Sequence, residues 1–413
     1  MEAIIERACG LDVHQAQVTA CLLVGGAGQR VKREVRKFGT FTRDLLALRE
    51  WLREAGCTHV AMESTGVYWK PVYAVLEEDF ELIVGNAFHI KNVPGRKTDV
   101  MDAEWIADLL RHGLIAKSFV PPKPVRELRD LMRYRSKLVE SRSAERNRLL
   151  KLLETANIKL SSVATNVFGK SGMRMLEAMA AGDASPVVMA DLAMGLMRKK
   201  LGELEGALDG RVGEHHRFLL RLQLGRLKAV DTDLAQLDSY IDARLEPYRL
   251  AQQTLQTIPG VGAHTATAIL SEIGGDVGAF PSAKHFAAWV GVCPGNNESA
   301  GKKMRAGARK GNRHLRKALI EASLGAVRKS GSYLKAKYYK LKARCGVQRA
   351  AMAIAHKLAI AVYQVLAKGV AFADLGEAHL DKVAGPRTHR HLVRRLEALG
   401  YRVQLEPVGP AQT

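Results

Sequence analysis

Four carboxylates stand close together in residues 95–113, GRKTDVMDAEWIADLLRHG, of a chain whose formal net charge is +21. At 100° per residue, Asp99 and Asp102 share one helix face with the apolar stripe of this segment. That stripe consists of Ala103, Ile106, Leu109 and Leu110. The opposite face, which we expect to be solvated, carries Glu104, Asp108 and Arg111. Carboxylates that point toward a core cost free energy unless positive charge meets them, so Asp99 and Asp102 require a counter-charge.

Two further acids lie in predicted strands: Asp12 in the first and Glu63 at the end of the fourth. If these strands are neighbours, as in a ribonuclease-H-like sheet, the two side chains lie side by side. Four converging carboxylates cannot all stay ionised in a dry pocket without a counter-charge. Mg²⁺ is commonly held by a few acids together with water and substrate phosphate, so we predict a Mg²⁺ site. Each acid taken alone would equally suit a salt bridge or a helix cap.

A basic segment, residues 291–323, contains eight Lys and Arg residues between positions 302 and 317 and no acid there. Uninterrupted basicity beside Gly-rich turns favours contact with a phosphate backbone over a merely solvated surface. The predicted contacts are Lys302, Lys303, Arg305, Arg309, Lys310, Arg313, Arg316 and Lys317. We expect Arg309 to share a face with the last three, on a helix that starts near Asn312. Ser299 precedes this run, and its Asn/Gly-rich surroundings are by themselves typical of a turn.

Residues 257–274, TIPGVGAHTATAILSEIG, are similar to a helix–hairpin–helix. In such an element, the backbone N–H groups of a Gly-containing turn bind a phosphate, here at Gly260 and Gly262. The same residues would equally form a plain turn between two helices.

The acids require a layered domain to position them. Residues 5–24 alternate as two strands with a turn near 14–16, and a third strand is predicted through 31–38. Helix 40–56, strand 58–65, helix 66–79 and strand 81–87 follow, and then the helix that carries the acids. This is the ribonuclease-H-like order and an α/β layer fold.

The remainder is predicted to be mainly helical. PPKP at 121–124 ends the first domain, and a long charged helix over 125–155 is followed by a less regular segment, 160–212. A second long helix, 214–245, has leucines at spacings of three and four, which indicates a helical hairpin or coiled-coil arm that could also mediate self-association. The predicted domains are 1–122, a helical linker over 123–250, a short-helix domain over 251–370, and an extension over 371–413.

The composition indicates which classes of partner the chain binds. The excess of 63 Lys and Arg over 42 Asp and Glu indicates a polyanion, with nucleic acid favoured over an anionic membrane. The five cysteines are scattered without metal-ligand spacing, as in reduced cytosolic proteins, so zinc is not expected. We expect no signal peptide. The most apolar stretch, 350–367, is interrupted by polar residues and is better explained as a buried helix, so we also expect no membrane partner.

Four motifs together carry a resemblance: GLDVH, AMESTG, KTDVMDA and CPGNNESAGK with KGNRHLRKAL. In this order they resemble the DEDD transposases of insertion sequence family one-hundred-ten, which are bridge-RNA-guided serine recombinases. The resemblance covers about residues 5–120 and 254–330. It implies a RuvC-like domain in which Asp12, Glu63, Asp99 and Asp102 bind Mg²⁺, a helical linker, and a transposase domain in which Ser299 is the nucleophile. One departure is local, because the chain has Glu-Ser-Ala-Gly where family members often have Gln-Ser-Gly.

The resemblance also implies partners. They are double-stranded donor and target DNA, a structured non-coding RNA encoded by the element, and further copies of the chain in a dimer or tetramer. The expected localisation is the bacterial cytoplasm, in association with the nucleoid. The active site is expected to form between protomers.

The predicted reaction is transposition through a covalent phosphoserine link. A serine hydroxyl needs a base to become a nucleophile, and cations stabilise the charge that develops on the phosphoryl oxygens. Such a link retains the bond energy of the cut strand, so rejoining needs no ATP. Two alternatives stay open: a RuvC-like metal nuclease or Holliday-junction resolvase that uses activated water, and a non-catalytic nucleic-acid-binding scaffold.

Overall fold

The computed structural model describes residues 3–26, 28, 30–87, 90, 102–182, 184–295, 298–299, 301–304 and 307–405. For residues 298, 299, 303, 381–389 and 391 it describes the backbone alone. The chain divides into two compact units, residues 1–120 and residues 121–413.

The first unit is a mixed α/β layer. Its strands are β1 (Arg7–Val13), β2 (Gln17–Val24), β3 (Lys32–Gly39), β4 (His59–Glu63) and β5 (Glu81–Gly85). Its helices are α1 (Thr42–Glu54), α2 (Trp69–Leu76) and α3 (Asp102–Arg111). The sheet order is β3-β2-β1-β4-β5, with β2 antiparallel to β1 and β3, and β4 parallel to β1 and β5. The predicted succession of elements is confirmed, and so is the contact between the first and fourth strands.

The two faces of this sheet pack against different helices. Side chains alternate along a strand, and Cys9 and Leu11 of β1 join the core that includes residues of α1 and α2. Ala8 lies on the other face, in the core formed with α3. Gly10 shares that face, and a Cβ there would lie only 2.1 Å from the carbonyl oxygen of Ala103. The missing side chain therefore lets α3 pack directly on the sheet backbone.

The second unit begins with two long helices, α4 (Lys123–Thr155) and, later in the chain, α9 (Glu214–Arg244). The ion pairs Arg135–Asp238 and Arg142–Asp231 run in opposite sequence directions, so the helices are antiparallel. The predicted helical hairpin is confirmed. Six residues of the predicted stripe are buried, namely Leu220, Leu224, Leu227, Leu234, Ile241 and Leu245.

The segment between these helices is more ordered than predicted. It contains α5 (Leu160–Val163), α6 (Lys170–Ala181), α7 (Pro186–Asp191), a 3₁₀ turn (Gly195–Lys200) and α8 (Leu201–Leu208). Met175, Leu176 and Leu204 form one hydrophobic core with the end of α4 and the start of α9. The prediction of an irregular segment over 160–212 is therefore wrong, because its Met and Ala residues bury one face of several short helices.

The rest of the second unit is helical apart from a short hairpin. Its helices are α10 (Arg249–Gln256), α11 (Ala263–Ile273), α12 (Ala283–Val290), α13 (Arg313–Ala326), α14 (Tyr333–Cys345), α15 (Val347–Lys368) and α16 (His379–Ala398), and its strands are β6 (Glu298–Ser299) and β7 (Lys302–Lys303). Within the described residues, α15 is the one helix long and apolar enough to span a membrane. It packs against α10, α12, α13 and α14, which agrees with the predicted buried helix.

Candidate active site

Two of the predicted acids lie at one end of adjacent parallel strands. The register pairs Leu11 of β1 with Met62 of β4, so the next residues, Asp12 and Glu63, are opposite one another. Because side chains alternate, both fall on the face of Gly10 and Ala61, which is the face covered by α3. Register and alternation alone thus place two carboxylates together.

Short-range polar contacts orient these two carboxylates. The side chain of Asp12 is 29% exposed, and its Oδ2 lies 3.0 Å from Nε2 of His14. Oε1 of Glu63 accepts a hydrogen bond from the hydroxyl of Thr65. His14 and Thr65 each follow their acid by two residues, a contact that sequence reasoning did not propose.

The third acid, Asp102, begins α3 at the same end of the sheet. The amides of Ile4 and Ile5, just before β1, bond to the carbonyl of Arg111 at the end of α3, while Ala103 lies over Gly10. The helix therefore runs antiparallel to β1, and its N-terminus lies toward the end where Asp12 stands. A helix N-terminus also favours negative charge. Asp99 lies outside the described residues.

The predicted faces of this helix are correct in part. Ala103, Ile106, Leu109 and Leu110 are buried as expected. Glu104 lies on the outer face and pairs with Arg33 of β3 at 2.7 Å. The expectation that Arg111 is solvated is wrong. Its guanidinium is buried because the loop after β2 lies against it, and the carbonyl of Gly25 accepts its hydrogen bond at 2.5 Å.

These acids are the donors that a hard divalent cation requires. Asp12, Glu63 and Asp102 offer carboxylate oxygens from three elements at one end of the sheet, and such oxygens suit Mg²⁺. Within the described part of the chain, no three His, Cys, Asp or Glu side chains already lie close enough together to hold a metal ion. The donor chemistry fits a metal ion, and the predicted fourth ligand lies in residues 91–101, beyond the described part.

Ser299 lies on a β-hairpin of the second unit. The backbone pairs Ser299 with Lys302 and Glu298 with Lys303, and a separate antiparallel bridge joins Pro294 to Ala308. Gly301, in the connection between them, has φ +75°, a value that glycine adopts without strain. Ser299 is thus placed beside the tip of a hairpin, with a lysine directly across from it.

The predicted basic residues divide between this hairpin and α13. Lys302, Lys303, Arg309 and Lys310 belong to the hairpin and its return, and Arg305 lies outside the described residues. Arg309 donates its backbone N–H to Cys293 across the hairpin at 3.2 Å, so the expectation that it shares a helix face is wrong. Asn312 caps α13, as predicted near that position, by accepting from the amides of His314 and Leu315. Arg313, Arg316 and Lys317 follow on α13.

The two glycines of the predicted helix–hairpin–helix have different surroundings. A Cβ on Gly260 would lie 2.2 Å from the carbonyl oxygen of Ala322 and 2.4 Å from the amide of Ala326, so Gly260 packs directly on α13. A Cβ on Gly262, which caps α11, would meet nothing within 4 Å. Gly260 therefore positions α13, while Gly262 leaves open the space in front of a helix N-terminus.

A buried carboxylate that sequence reasoning missed holds three helices together. Glu272 of α11 has 3% of its side chain exposed, and its Oε1 accepts a hydrogen bond from Nε of Arg133 of α4 at 2.9 Å. Its Oε2 accepts from the side-chain Nδ2 of Asn312 at 2.6 Å and lies 3.1 Å from Nε of Arg129. The residue that caps α13 is thereby fixed to α4. The sequence does contain a signal for this site, because Glu272 is a single acid at a buried position of an otherwise apolar helix.

The same three helices, α4, α11 and α13, line a groove of about 790 Å³. His264 and His314 face it, each near the start of its helix. Burial lowers the pKa of both imidazoles, and the guanidiniums of Arg135 and Arg133 lower it further. Neutral imidazoles thus lie among the arginines of α4.

Two family models match the chain. One, a DEDD transposase model of the IS110 type, matches residues 9–158, and the other, described as transposase IS116/IS110/IS902 family, matches residues 252–339. The chain belongs to the IS110 family of transposases. It is therefore a DNA-processing enzyme that acts in transposition, and a DEDD-type domain implies that it depends on a divalent metal ion.

Curated relatives of this transposase agree. A probable family 20 transposase of Pseudomonas aeruginosa is 27% identical over 287 residues, which are 68% of this chain and 75% of the relative. The transposase for insertion sequence element IS1111A of Coxiella burnetii is 27% identical over 330 residues, 76% of this chain and 79% of the relative. A protein of insertion element IS110 of Streptomyces coelicolor is 35% identical over 96 residues, 23% of each chain.

The matched ranges correspond to the two candidate sites. The first contains the sheet with Asp12 and Glu63, together with α3 and α4. The second contains the predicted helix–hairpin–helix, the Ser299 hairpin, α13 and the first half of α14. Neither family model includes residues 160–212, the short helices at the tip of the α4–α9 helical hairpin.

Proposed function

We propose that this transposase cuts and rejoins the donor and target DNA of an insertion sequence through a phosphoserine intermediate. Ser299 is the nucleophile, and Asp12, Glu63, Asp99 and Asp102 of a RuvC-like, ribonuclease-H-like domain hold Mg²⁺. The observation that carries the proposal is the alignment of Asp12 and Glu63 at one end of adjacent strands, under the start of the helix that begins with Asp102.

The covalent step exchanges one ester for another. The Ser299 hydroxyl loses its proton and its Oγ bonds to the scissile phosphorus, while the bond from phosphorus to one deoxyribose oxygen breaks. That oxygen takes up a proton and leaves as a hydroxyl. In rejoining, the hydroxyl of another strand end attacks the same phosphorus and Ser299 is released with its proton, so no ATP is needed.

The chain's own residues supply positioning and charge. The hairpin places Lys302 across from Ser299. Asn312 caps the start of α13, so Arg313, Arg316 and Lys317 come soon after the hairpin in the chain. These cations bind the phosphates next to the scissile bond and stabilise charge on the phosphoryl oxygens. A divalent ion held by the acids would polarise the phosphoryl group and stabilise the same charge. Because acids and serine belong to different units, the working site is proposed to form between protomers of a dimer or tetramer.

Recognition of DNA sequence is proposed to come from a structured RNA encoded by the element. This part of the proposal is supported by family membership, since the family pairs donor and target DNA through such an RNA. The strongly basic composition suits a chain that holds RNA and DNA together.

The decisive experiment traps protein on DNA. The full chain is incubated with Mg²⁺, labelled DNA carrying the element's ends and target, and RNA transcribed from the segment beside the reading frame, and is then denatured. We expect a labelled covalent adduct that is lost in Ser299→Ala and in Asp12→Asn. Ser161→Ala, which changes an exposed serine of α5, is the matched control and retains the adduct.

Three outcomes would contradict parts of the proposal. Full cleavage by Ser299→Ala without an adduct would replace it with a metal nuclease that uses water. Strand transfer unchanged in Asp12→Asn would remove the acids from the chemistry. Equal adduct formation without the RNA would reject RNA guidance while leaving the phosphoserine step in place.

A further inference from the structure

Among the described α-helices that contain no acid, α14 has the highest density of positive charge. Its thirteen residues, YLKAKYYKLKARC, include five cations and no carboxylate. The sequence around it has no acid between Glu321 and Asp374. Only Leu334 and Tyr338 of the helix are buried. Lys340, Lys342 and Arg344 are exposed, and Lys335 and Lys337 are half-buried.

These residues form two rows along the helix. Row one has the spacing i, i+4, i+7, i+11 and consists of Tyr333, Lys337, Lys340 and Arg344. Row two has the spacing i, i+4, i+7 and consists of Lys335, Tyr339 and Lys342. The rows lie on opposite flanks of the helix, with Ala336 and Ala343 between them on the outward side and the buried Leu334 and Tyr338 between them on the inward side. Each row thus presents cations and a tyrosine beside a strip of small residues, which permits close approach of an extended partner.

Each tyrosine lies beneath a lysine of its own row. Nζ of Lys337 is 5.5 Å from the ring centroid of Tyr333, and Nζ of Lys342 is 5.7 Å from that of Tyr339. Cation–π contacts of this kind orient an ammonium without neutralising its charge. The ring of Tyr339 is itself 53% exposed and available for stacking.

The positive charge of α14 is not balanced within the described part of the protein. Neither the four lysines nor Arg344 forms an ion pair with a described carboxylate. The nearest acid in the sequence after the helix, Asp374, instead accepts the backbone amide of Tyr333 at 3.0 Å and so ties down the start of the helix. Like charges three and four residues apart oppose helix formation, and a bound polyanion would relieve that repulsion.

The helix is held firmly against the rest of the unit. Ser332 is buried and caps it by accepting from the amide of Lys335 at 3.2 Å. Leu334 and Tyr338 are buried, the helix packs against the neighbouring α15, and the ring of Tyr333 contacts His379 of α16. The rows are therefore displayed in a defined geometry.

We propose that α14 is a binding surface for a nucleic-acid backbone, separate from the Ser299 hairpin, in which rows one and two contact phosphates on either flank of the helix. The chemistry is that of a polynucleotide: ammonium and guanidinium groups for phosphates, and an exposed aromatic ring for a base. A lipid surface suits the helix less well, because its large apolar side chains are buried in the protein and alanines lie between the rows. The proposal rests on the chain's being a transposase and not on the role of Ser299.

The test compares two sets of three substitutions that remove the same charge. The row-one variant is Lys337→Gln, Lys340→Gln and Arg344→Gln in the full chain. The control variant is Arg135→Gln, Lys137→Gln and Arg142→Gln on α4, whose side chains are paired with Asp238, Glu140 and Asp231. Fluorescence anisotropy measures binding to a labelled DNA duplex and to a single-stranded RNA of the same sequence over a series of KCl concentrations.

The row-one variant should lose affinity and salt dependence. Since each phosphate contact contributes about 0.9 to the slope of log K against log salt for duplex DNA and about 0.7 for a single strand, loss of three contacts lowers the slope by about 2.7 or about 2.1. The nucleic acid that shows the larger loss is the one that α14 binds. The control variant should change the slope by less than the contribution of one phosphate contact.

Three results would overturn the proposal. Row-one and control variants that lose equal affinity would show a mere effect of net charge, and a row-one variant that binds both nucleic acids like the unaltered chain would show that α14 does not contact them. Phosphatidylserine vesicles are a third probe. Vesicle binding lost in the row-one variant while nucleic-acid binding persists would assign the helix to a membrane. All binding is also measured in Ser299→Ala, so failure of the phosphoserine chemistry leaves this test intact.

Discussion

Helices α4 and α14 are both rich in Lys and Arg, but their charges have different surroundings. In α4, guanidiniums pair with carboxylates of three elements, including Glu272 of α11, Asp238 of α9 and Glu145 of α4 itself. In α14, the cations point outward without a described carboxylate partner. The charge on α4 thus joins helices of the protein to each other, whereas the charge on α14 remains available to a ligand. A count of basic residues does not distinguish these two roles.

The largest difference between the two helices should follow from removing Glu272. Glu272→Ala leaves Arg129, whose side chain is 16% exposed, and Arg133, whose side chain is 37% exposed, without their shared carboxylate. Breaking a buried pair costs about 3–5 kcal/mol of unfolding free energy, and the exposure of Arg133 places the expected loss at the lower end of that range. Hydrogen exchange of peptides from α11 and α13, followed by mass spectrometry, reports the loss. Peptides of α6, in the core at the tip of the helical hairpin, serve as the control. Protection of α11 and α13 unchanged in the variant would show that Glu272 does not hold the helices together.

Acidification should weaken the packing of the helices around α4. The pKa values of His264 and His314 lie below the usual 6.5 because of burial and the nearby arginines. Below pH 6.5 the unfolded chain binds protons first, so the stabilisation is complete above about pH 6.5 and is lost as the pH falls toward the folded pKa values. His216 and His356 shift in the same direction elsewhere, so the measurement must be local.

Hydrogen exchange of α11 and α13 between pH 7 and pH 5, corrected for the intrinsic pH dependence of exchange, checks this prediction. The His264→Gln, His314→Gln double variant should show a flatter profile for these helices than the unaltered chain does. An unchanged profile in the double variant would mean that other groups cause the pH dependence.

The smallest effects should come from single surface charges. Arg135→Gln removes a bidentate contact with Asp238 and should lower the free energy of unfolding by up to about 1 kcal/mol. Lys340→Gln removes repulsion from Lys337 and Arg344 and should leave that free energy unchanged or raise it by about 0.2–0.5 kcal/mol. Paired urea titrations measure the difference. A greater loss in Lys340→Gln than in Arg135→Gln would reverse the comparison.

Local pattern was sufficient to predict much of the first unit. Alternation placed β1, β2 and β4, and the 3.6-residue period identified the buried face of α3, because each depends on neighbours in the chain. The order of strands and helices then implied that Asp12 and Glu63 adjoin, and the register agrees. Arg111 escaped this reasoning because its partner, Gly25, lies in a distant loop.

The second unit was predicted less completely. Leucine spacing predicts α9, and α4 is predicted as a long charged helix. The Met- and Ala-rich helices of 160–212 are too short for their periodicity to show the core that they share. The basic run from Lys302 to Lys317 was treated as one surface, whereas a cross-strand hydrogen bond places Arg309 on the hairpin and Asn312 begins a separate helix.

The sequence by itself determined which chemical groups this transposase has and on which kind of element each lies: acids in strands and at a helix start, a serine before a basic run, and an acid-free region around α14. These features depend on residue type and short-range periodicity. Only the tertiary structure decided which groups pair, because partners such as Glu272 with Arg133, or Gly260 with α13, are far apart in the chain. Burial and neutralisation depend on those distant partners, so folding alone separates the charges that hold the protein together from those left to bind nucleic acid.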